Sequence, residues 1–159
     1  MVMALVGLGP AALPHLRSLQ DLTDRIEFRY AFARRPDADR VRPYTGSVQL
    51  TDSLDLILRD PEVQAVIVAT PPATHLDICQ RCFAAGKHVL LEKPLEVNYE
   101  RSARLVEMAE EAGLRLGIVL QHRYREASMA LERILQEGRL GEVQAASVRI
   151  PWWRSQAYY

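Results

Sequence analysis

Short apolar runs alternate with amphipathic stretches along the whole chain. The runs are bounded by polar or turn residues and are typical of buried strands: Met3 to Val6, Phe28 to Ala33, Val63 to Ala69, His88 to Leu91, Leu116 to Leu120 and Val143 to Ile150. This alternation predicts parallel strand–helix–strand units and a doubly wound, mostly parallel sheet of the α/β class. Ligands of such sheets bind beyond the carboxyl ends of the strands.

Apolar residues at helical spacing predict helices between the runs. The clearest helix runs from Asn98 to Ala112, where Asn98 can cap the amino end and Gly113 supplies a left-handed stop. Shorter or less regular helices are predicted after Gly9 and over residues 53–58, 73–85 and 126–137. The last of these has an apolar face made of Ala127, Ala130, Leu131, Ile134 and Leu135.

Composition and charge narrow the class of partner. The chain has 159 residues, of which 48% are hydrophobic and 25% charged, the profile of a soluble globular domain. Basic and acidic residues balance at 20 each, so we expect no nucleic-acid and no membrane partner. With neither a secretory leader pattern nor an apolar run of about 20 residues, a cytoplasmic location is expected, with a small molecule or another protein as partner.

Two cysteines, Cys79 and Cys82, form the motif CQRC, which invites a redox or metal interpretation. A thioredoxin-type pair needs a helix amino terminus that lowers the thiol pKa, and zinc needs about four ligands. Leu76, Cys79 and Phe83 instead follow helical spacing, with Cys82 on the neighbouring line. Both thiols are therefore predicted to pack in the core, and no metal site is predicted.

A glycine-rich turn, VGLGPAALPHL, follows the first predicted strand. Gly7 and Gly9 come directly off that strand, as a turn requires if its backbone is to approach a pyrophosphate at a helix amino terminus. Ala12 stands at the third glycine position. The pattern also occurs in ordinary glycine turns, but its place at the start of a strand–helix unit favours dinucleotide binding.

The second predicted strand ends in the segment AFARR. An NAD site carries Asp or Glu about 20 residues beyond the glycines, for the ribose hydroxyls. Ala33 stands there, and Arg34 and Arg35 follow. Guanidinium groups bind a 2′-phosphate that an acid would repel, so the pattern favours NADP, with NAD possible. The alternative is that both arginines solvate a loop beside Asp37 and Asp39.

Two neighbouring strand ends carry the segments ATPPATH and LLEKP. Thr70 ends one strand, and Pro71 and Pro72 impose a stiff extended turn that can rest against a nicotinamide ribose. The alternative for Thr70 and His75 is a plain connector between strand and helix.

Lys93 is the sharpest candidate, because an ammonium at the end of a buried strand is unfavourable for stability. The chain has only two lysines against eighteen arginines. A desolvated lysine, unlike arginine, can donate or accept a proton near neutral pH and so orient a substrate oxygen during hydride transfer. Glu92 is expected to hold Lys93 in place, and Pro94 to fix the turn through a cis peptide bond. The alternative is a surface ion pair on a turn.

Four segments together resemble the glucose-fructose oxidoreductase, inositol dehydrogenase and rhizopine-catabolism family (Gfo/Idh/MocA). They are VGLGPAA, DPEVQAVIVATPPATH, AAGKHVLLEKPLEV and EGRLGEVQA, and they span nearly the whole chain. The Glu-Lys-Pro motif after the AGKHVL strand is the most specific of them. Family members pair a nucleotide-binding Rossmann domain with a C-terminal α/β domain whose open sheet covers the substrate.

The resemblance implies a role for each matching residue. Those along the pyrophosphate and adenosine ribose would be Gly7, Leu8, Gly9, Arg34 and Arg35. Those on the nicotinamide side would be Thr70, Pro71, His75, Glu92, Lys93, His122 and Arg123, the last two in the segment QHRYR. Glu92 and Lys93 would contact cofactor and substrate, and Lys93 would be the catalytic lysine.

Two departures from the family pattern bear on domain organisation and function. Pro72 stands where asparagine is frequent. The family's second catalytic group, usually a histidine shortly after an aspartate, belongs to the C-terminal domain. We expect a Rossmann domain over residues 1–121, with residues 122–159 holding only the linking helix and first strand of a truncated second domain.

Four aromatic residues lie within the last eight positions: Trp152, Trp153, Tyr158 and Tyr159. The alternative to truncation is a tail that folds back or docks on a neighbouring copy.

The leading hypothesis is an NADP-dependent oxidoreductase that passes a hydride between the nicotinamide and a hydroxyl- or carbonyl-bearing carbon. The substrate expected is a sugar, cyclitol or related polyol, the full-length protein is expected to be a homo-oligomer, and the chain as given is expected only to bind nucleotide. The rival is a non-catalytic dinucleotide-binding sensor or assembly module, which has no need of a lysine at the nicotinamide end. A third possibility is a domain whose nucleotide site has decayed.

Overall fold

A computed structural model describes residues 1–35, 42–44 and 48–158 of the chain. The chain forms two compact units, Met1–Leu120 and Gln121–Tyr159. Within the described ranges, every helix is too short or too polar to span a lipid bilayer.

The described part of the first unit is built on six parallel strands. They are β1 (Val2–Val6), β2 (Glu27–Phe32), β3 (Gln49–Thr51), β4 (Val63–Val68), β5 (His88–Glu92) and β6 (Leu116–Val119). Their spatial order is β3-β2-β1-β4-β5-β6, and every neighbouring pair is parallel. The predicted doubly wound sheet is therefore confirmed. Because the strand order reverses between β1 and β4, the crevice at their carboxyl ends is where such sheets bind ligands.

Five helices of at least six residues lie among the described residues. They are α1 (Ala12–Asp21), α2 (Leu54–Arg59), α3 (His75–Ala84), α4 (Tyr99–Glu111) and α5 (Glu126–Gln136). Both predicted ends of α4 are confirmed: Asn98 Oδ1 accepts the Arg101 backbone N–H at 2.9 Å, and Gly113 has a φ of 65°. These caps satisfy groups that have no partner within a helix.

Two apolar layers cover the two faces of the sheet. Alternate side chains of each strand point to opposite faces, as the pleat requires. One face packs under α1, and its buried residues include Met3, Leu5, Leu16 and Leu19. The other packs under α2, α3 and α4, and its buried residues include Val6, Ile57, Phe83 and Leu105. Burial on both faces explains why the strands read as continuous apolar runs.

Cys79 and Cys82 are fully buried free thiols in the second of these layers, as the helical spacing predicts. Burial raises the pKa of the Cys79 thiol and raises the pKa of Cys82 to about 12, although Arg81 and Lys87 oppose the latter shift. Such thiols are poor nucleophiles and poor metal ligands. The described residues contain no group of three or more His, Cys, Asp or Glu side chains that could hold a metal ion.

The predicted and observed strands differ in two places. β3 was not predicted, because its three residues are too few to show an alternation of apolar and polar positions. The strand predicted over Val143 to Ile150 was wrong: these residues are irregular, and Val148 and Ile150 are exposed. An apolar run becomes a strand only where a neighbouring strand accepts and donates its backbone hydrogen bonds, and this run has no such neighbour among the described residues.

The second unit contains α5 and irregular chain. No described residue of α5 is buried, and Leu131 and Leu135 on its apolar face are 53% and 43% exposed. Trp152 and Trp153 are also exposed. The expectation that this segment begins a further domain stays a prediction.

Candidate functional site

The carboxyl ends of β1, β2 and β4 are tied together by backbone hydrogen bonds that continue past the strands. The Gly7 N–H donates to the Phe32 carbonyl at 2.9 Å, and the Ala69 N–H donates to the Val6 carbonyl at 2.8 Å. The glycine turn, the end of β2 and the segment from Thr70 onward therefore meet at one edge of the sheet.

The two glycines of the turn serve different purposes. Gly7 has a φ of +101°, and a Cβ there would lie 2.5 Å from the Ala69 carbonyl oxygen, so the fold itself requires glycine. A Cβ on Gly9 would meet no heavy atom within 4 Å. The space beside Gly9 is thus open to a ligand, and a dinucleotide pyrophosphate fits the turn at the start of α1.

A cavity of about 680 Å³ opens at this edge. Its volume is ordinary for a pocket that holds a small molecule or cofactor. Six of the residues singled out from the sequence line it: Gly7, Leu8, Gly9, Arg34, Thr70 and Pro71. Its lining also includes charged and polar groups that sequence reasoning missed: Asp52, Ser53, Asp55, Thr74, Asp77 and Arg81. Three of them follow β3, two lie near the start of α3 and Arg81 lies in its last turn; Thr74 is part of the ATPPATH segment, but sequence reasoning gave it no role.

The two arginines after β2 are not equivalent. Arg34 and Arg35 are both exposed, but Arg34 lines the cavity and Arg35 does not. Asp37 and Asp39, which the loop alternative invoked, lie outside the described residues. The cavity also holds acids: Asp55 Oδ1 pairs with Arg81 Nη2 at 2.7 Å. Cationic and anionic groups therefore share this end of the cavity.

His75 departs from its predicted place beside a nicotinamide, because its side chain is fully buried. Its Nε2 lies 2.9 Å from the Thr70 carbonyl oxygen and its Nδ1 lies 3.1 Å from the Leu95 carbonyl oxygen. With no exposed atom, the ring cannot touch a ligand directly in this structure. It instead links the end of β4 to the turn after β5.

Glu96 makes a second link nearby, between the start of α3 and the turn after β5. Its buried carboxylate accepts the Leu76 N–H at 3.0 Å, the Val97 N–H at 2.7 Å and an Arg101 Nη2 hydrogen bond at 2.9 Å. The Arg101 hydrogen bond, aided by the two backbone donors, lowers the pKa of Glu96 to about 2 against the opposing effect of burial. Sequence reasoning missed this residue because a lone acid after Glu-Lys-Pro reads as an ordinary surface charge.

Glu92 pairs with a different partner from the one predicted. Its Oε1 lies 2.9 Å from His15 Nε2 on α1, and its Oε2 accepts the backbone N–H of Lys93 at 3.1 Å. The expectation that Glu92 holds the Lys93 side chain was therefore wrong, because the Glu92 carboxylate is hydrogen-bonded to His15 on α1. His15 was missed because it stands between the apolar residues of α1 and reads as part of its core face.

Lys93 itself is exposed at the carboxyl end of β5. Its ammonium forms no hydrogen bond or ion pair with the described residues, so its three N–H donors have no partner among them. The Lys93–Pro94 peptide bond is cis, as predicted. An exposed ammonium at this sheet edge is placed to donate to the oxygen of a bound molecule.

His122 and Arg123 belong to the second unit, in the 3₁₀ turn Gln121–Tyr124. The His122 ring lies 5.4 Å from the Trp152 ring, and the Arg154 guanidinium lies 5.0 Å above that same Trp152 ring. His122 and Arg123 are both exposed. Their predicted approach to a nicotinamide stays a prediction.

Comparison with known proteins relates this chain to oxidoreductases. Residues 1–120 match the Gfo/Idh/MocA family, described as an oxidoreductase family with an NAD-binding Rossmann fold. An uncharacterized oxidoreductase of Schizosaccharomyces pombe is 32% identical over 143 residues, which are 88% of this chain and 39% of that protein. The NADP-dependent scyllo-inositol 2-dehydrogenase of Bacillus subtilis is 26% identical over 138 residues, which are 87% of this chain and 38% of that protein.

A solved structure shows the same likeness. The WlbA dehydrogenase of Chromobacterium violaceum, crystallised with NADH and UDP-GlcNAcA, aligns with a TM-score of 0.81 and 31% identity. The alignment covers 89% of this chain and 41% of that one. The chain thus spans about two fifths of the length of the relatives it matches.

Proposed function

This chain belongs to the Gfo/Idh/MocA family of NAD(P)-binding oxidoreductases, and we propose that it is the nucleotide-binding part of an NADP-dependent enzyme acting on a sugar, cyclitol or related polyol. The observation that carries the proposal is the exposed Lys93 ammonium, which stands at the same sheet edge as the open glycine turn. A lysine whose neighbouring carboxylate is bonded elsewhere is available for chemistry on a ligand.

The chain's own residues would hold the dinucleotide. The open side of Gly9 lets the pyrophosphate approach the start of α1. Arg34, in the cavity, would bind the 2′-phosphate, and Thr70 and Pro71 would flank the nicotinamide ribose. The nicotinamide supplies or accepts the hydride, and the protein has to position the substrate carbon beside it.

Lys93 would handle the substrate oxygen. In the direction of oxidation, the substrate carbon would lose a hydride to the nicotinamide, while its hydroxyl would lose a proton to Lys93 Nζ in its neutral amine form or to a water that the Lys93 ammonium orients. In reduction, the Lys93 ammonium returns a proton to the developing alkoxide. Preorganised N–H donors at an oxygen that gains charge stabilise the transition state more than the ground state.

The substrate class rests on the relatives. One is a scyllo-inositol dehydrogenase and another was crystallised with a nucleotide-linked sugar. Both compounds present several ring hydroxyls, so we infer a hydroxylated ring as substrate for this chain's protein.

The proposal is tested by separating nucleotide binding from turnover. Isothermal titration of the chain with NADPH and NADH measures binding, and oxidation of an inositol and sugar panel with NADP⁺ by the full-length protein measures turnover. In Lys93→Met we expect NADPH binding within about twofold of wild type and a fall in kcat of about 100-fold or more. Tight NADPH binding without turnover of any polyol, or turnover that Lys93→Met leaves unchanged, would favour the non-catalytic sensor.

A further inference from the structure

The Glu92 carboxylate is shared between two elements. Oε1 lies 2.9 Å from His15 Nε2 on α1, and Oε2 accepts the backbone N–H of Lys93 at 3.1 Å. The His15 and Glu92 side chains are 11% and 14% exposed. A mostly buried carboxylate bonded through both oxygens has little freedom to turn toward another donor.

His15 is the polar member of an otherwise apolar helix face. It is buried on α1 together with Ala12, Leu16 and Leu19, which fix where its ring can reach. Through Glu92 it connects the helix that follows the glycine turn to the strand that carries Lys93. Neither the packing of α1 nor its capping requires a histidine here, since an apolar residue would complete the same face.

We propose that His15 is a positioning residue for Lys93: by holding Glu92 Oε1, it keeps that carboxylate turned away from the neighbouring ammonium. A carboxylate one residue from an ammonium would otherwise pair with it, and a paired ammonium has fewer N–H groups for a ligand oxygen. The consequence for catalysis rests on the function proposed above, whereas the His15 contact is a property of the fold without ligand.

The two lysines of the chain make a direct test practicable. Lysine labelled with ¹³C at Cε gives one resonance each for Lys87 and Lys93, and each can be followed over pH without nucleotide or substrate. Lys87 is the internal reference, because it is buried and its Nζ donates to the Asp60 carbonyl at 2.7 Å. In His15→Leu, the released Glu92 should pair with Lys93 and raise its titration midpoint by about half a pH unit.

Two polar variants guard against a fold defect in His15→Leu. In His15→Gln, the amide N–H reproduces the Nε2 donor, so the wild-type midpoint should be retained. In His15→Asn, the amide is too short to reach Glu92, so the midpoint should rise as in His15→Leu. Circular dichroism and thermal melting verify that each variant is folded.

Glu92→Gln tests the route of the effect. When added to His15→Leu or His15→Asn, it should abolish the rise, because no carboxylate remains to pair with Lys93. The proposal is overturned if the Lys93 midpoint is unchanged in folded His15→Leu and His15→Asn, or if the rise persists with Glu92→Gln present. Failure to bind NADPH would instead sink the proposed function and leave this result standing.

Discussion

Gly7 and Ala69 are in backbone contact at the point where β1 and β4 end. A Cβ on Gly7 would lie 2.5 Å from the Ala69 carbonyl oxygen and 2.7 Å from its carbon, distances that real side chains do not tolerate. A Cβ on Gly9, two residues later, would meet nothing within 4 Å. The first glycine is therefore required by the sheet and the second is open to whatever binds there.

A matched pair of alanine variants should separate these two demands. We expect Gly7→Ala to lower the free energy of unfolding by about 2–4 kcal/mol, because the positive φ and the Ala69 overlap both oppose a side chain. Gly9→Ala should leave that free energy within about 0.5 kcal/mol and weaken NADPH binding tenfold or more. Urea unfolding and calorimetric titration measure the two quantities. Unimpaired NADPH binding by Gly9→Ala would place the pyrophosphate elsewhere.

The features that could be predicted from the sequence are those that depend on residues close together in the chain. Apolar periods gave five of the six described strands, and Gly7 and Asn98 were identified from local turn and cap chemistry alone. Features that depend on residues far apart in the chain were missed. The His15–Glu92 contact joins residues 77 positions apart, so no spacing rule could indicate it.

The errors have the same origin. The family resemblance implied that His75 flanks the nicotinamide, but the direction of a side chain at the start of a helix depends on the groups that pack against it. Here the His75 ring is hydrogen-bonded to the Leu95 carbonyl after β5 and is buried. Val143 to Ile150 has the composition of a strand, yet sheet formation depends on a partner that composition does not reveal.

Arg34 should govern the choice between the two nicotinamide nucleotides. Because it lines the cavity and Arg35 does not, we expect Arg34→Ala to weaken NADPH binding by about 10- to 100-fold and NADH binding by less than about twofold. Arg35→Ala should change NADPH binding by less than about threefold. Calorimetric titration of both variants with both nucleotides is the measurement. Equal losses of NADPH affinity in the two variants would indicate that the two arginines act together. Tighter binding of NADH than of NADPH by the wild-type chain would contradict an NADP site.

The thiols of Cys79 and Cys82 should react only when the protein opens. Both are fully buried, and their raised pKa values keep them protonated at pH 8. We expect the native chain to be inert toward an aromatic disulfide reagent and to become reactive across the urea transition, so that labelling follows unfolding. Fast labelling of the native chain, or formation of a Cys79–Cys82 disulfide with no loss of stability, would return the CQRC motif to a redox role.

Glu96 should make stability depend on acid pH. Its pKa is lowered from 4.5 to about 2 in the folded state, chiefly by the Arg101 hydrogen bond, so the ionised form is favoured by folding. The resulting stabilisation is fully present above about pH 4.5 and is lost as the pH falls toward 2. At the lower pH, Glu96 becomes protonated in the folded state and its hydrogen bonds are no longer made by a charged carboxylate. At pH 7 we expect Glu96→Gln to lower the free energy of unfolding by about 2–3 kcal/mol.

The pH profile of that difference distinguishes this origin from a packing effect. The deficit of Glu96→Gln relative to wild type should shrink between pH 4.5 and pH 2, as measured by urea unfolding at each pH. Glu107→Gln is the matched control, because Glu107 pairs with Arg104 at 3.4 Å on an exposed helix face and should contribute less than about 0.5 kcal/mol at any pH. A Glu96→Gln deficit that stays constant down to pH 2 would mean that the charge of Glu96 does not stabilise the link between the start of α3 and the turn after β5.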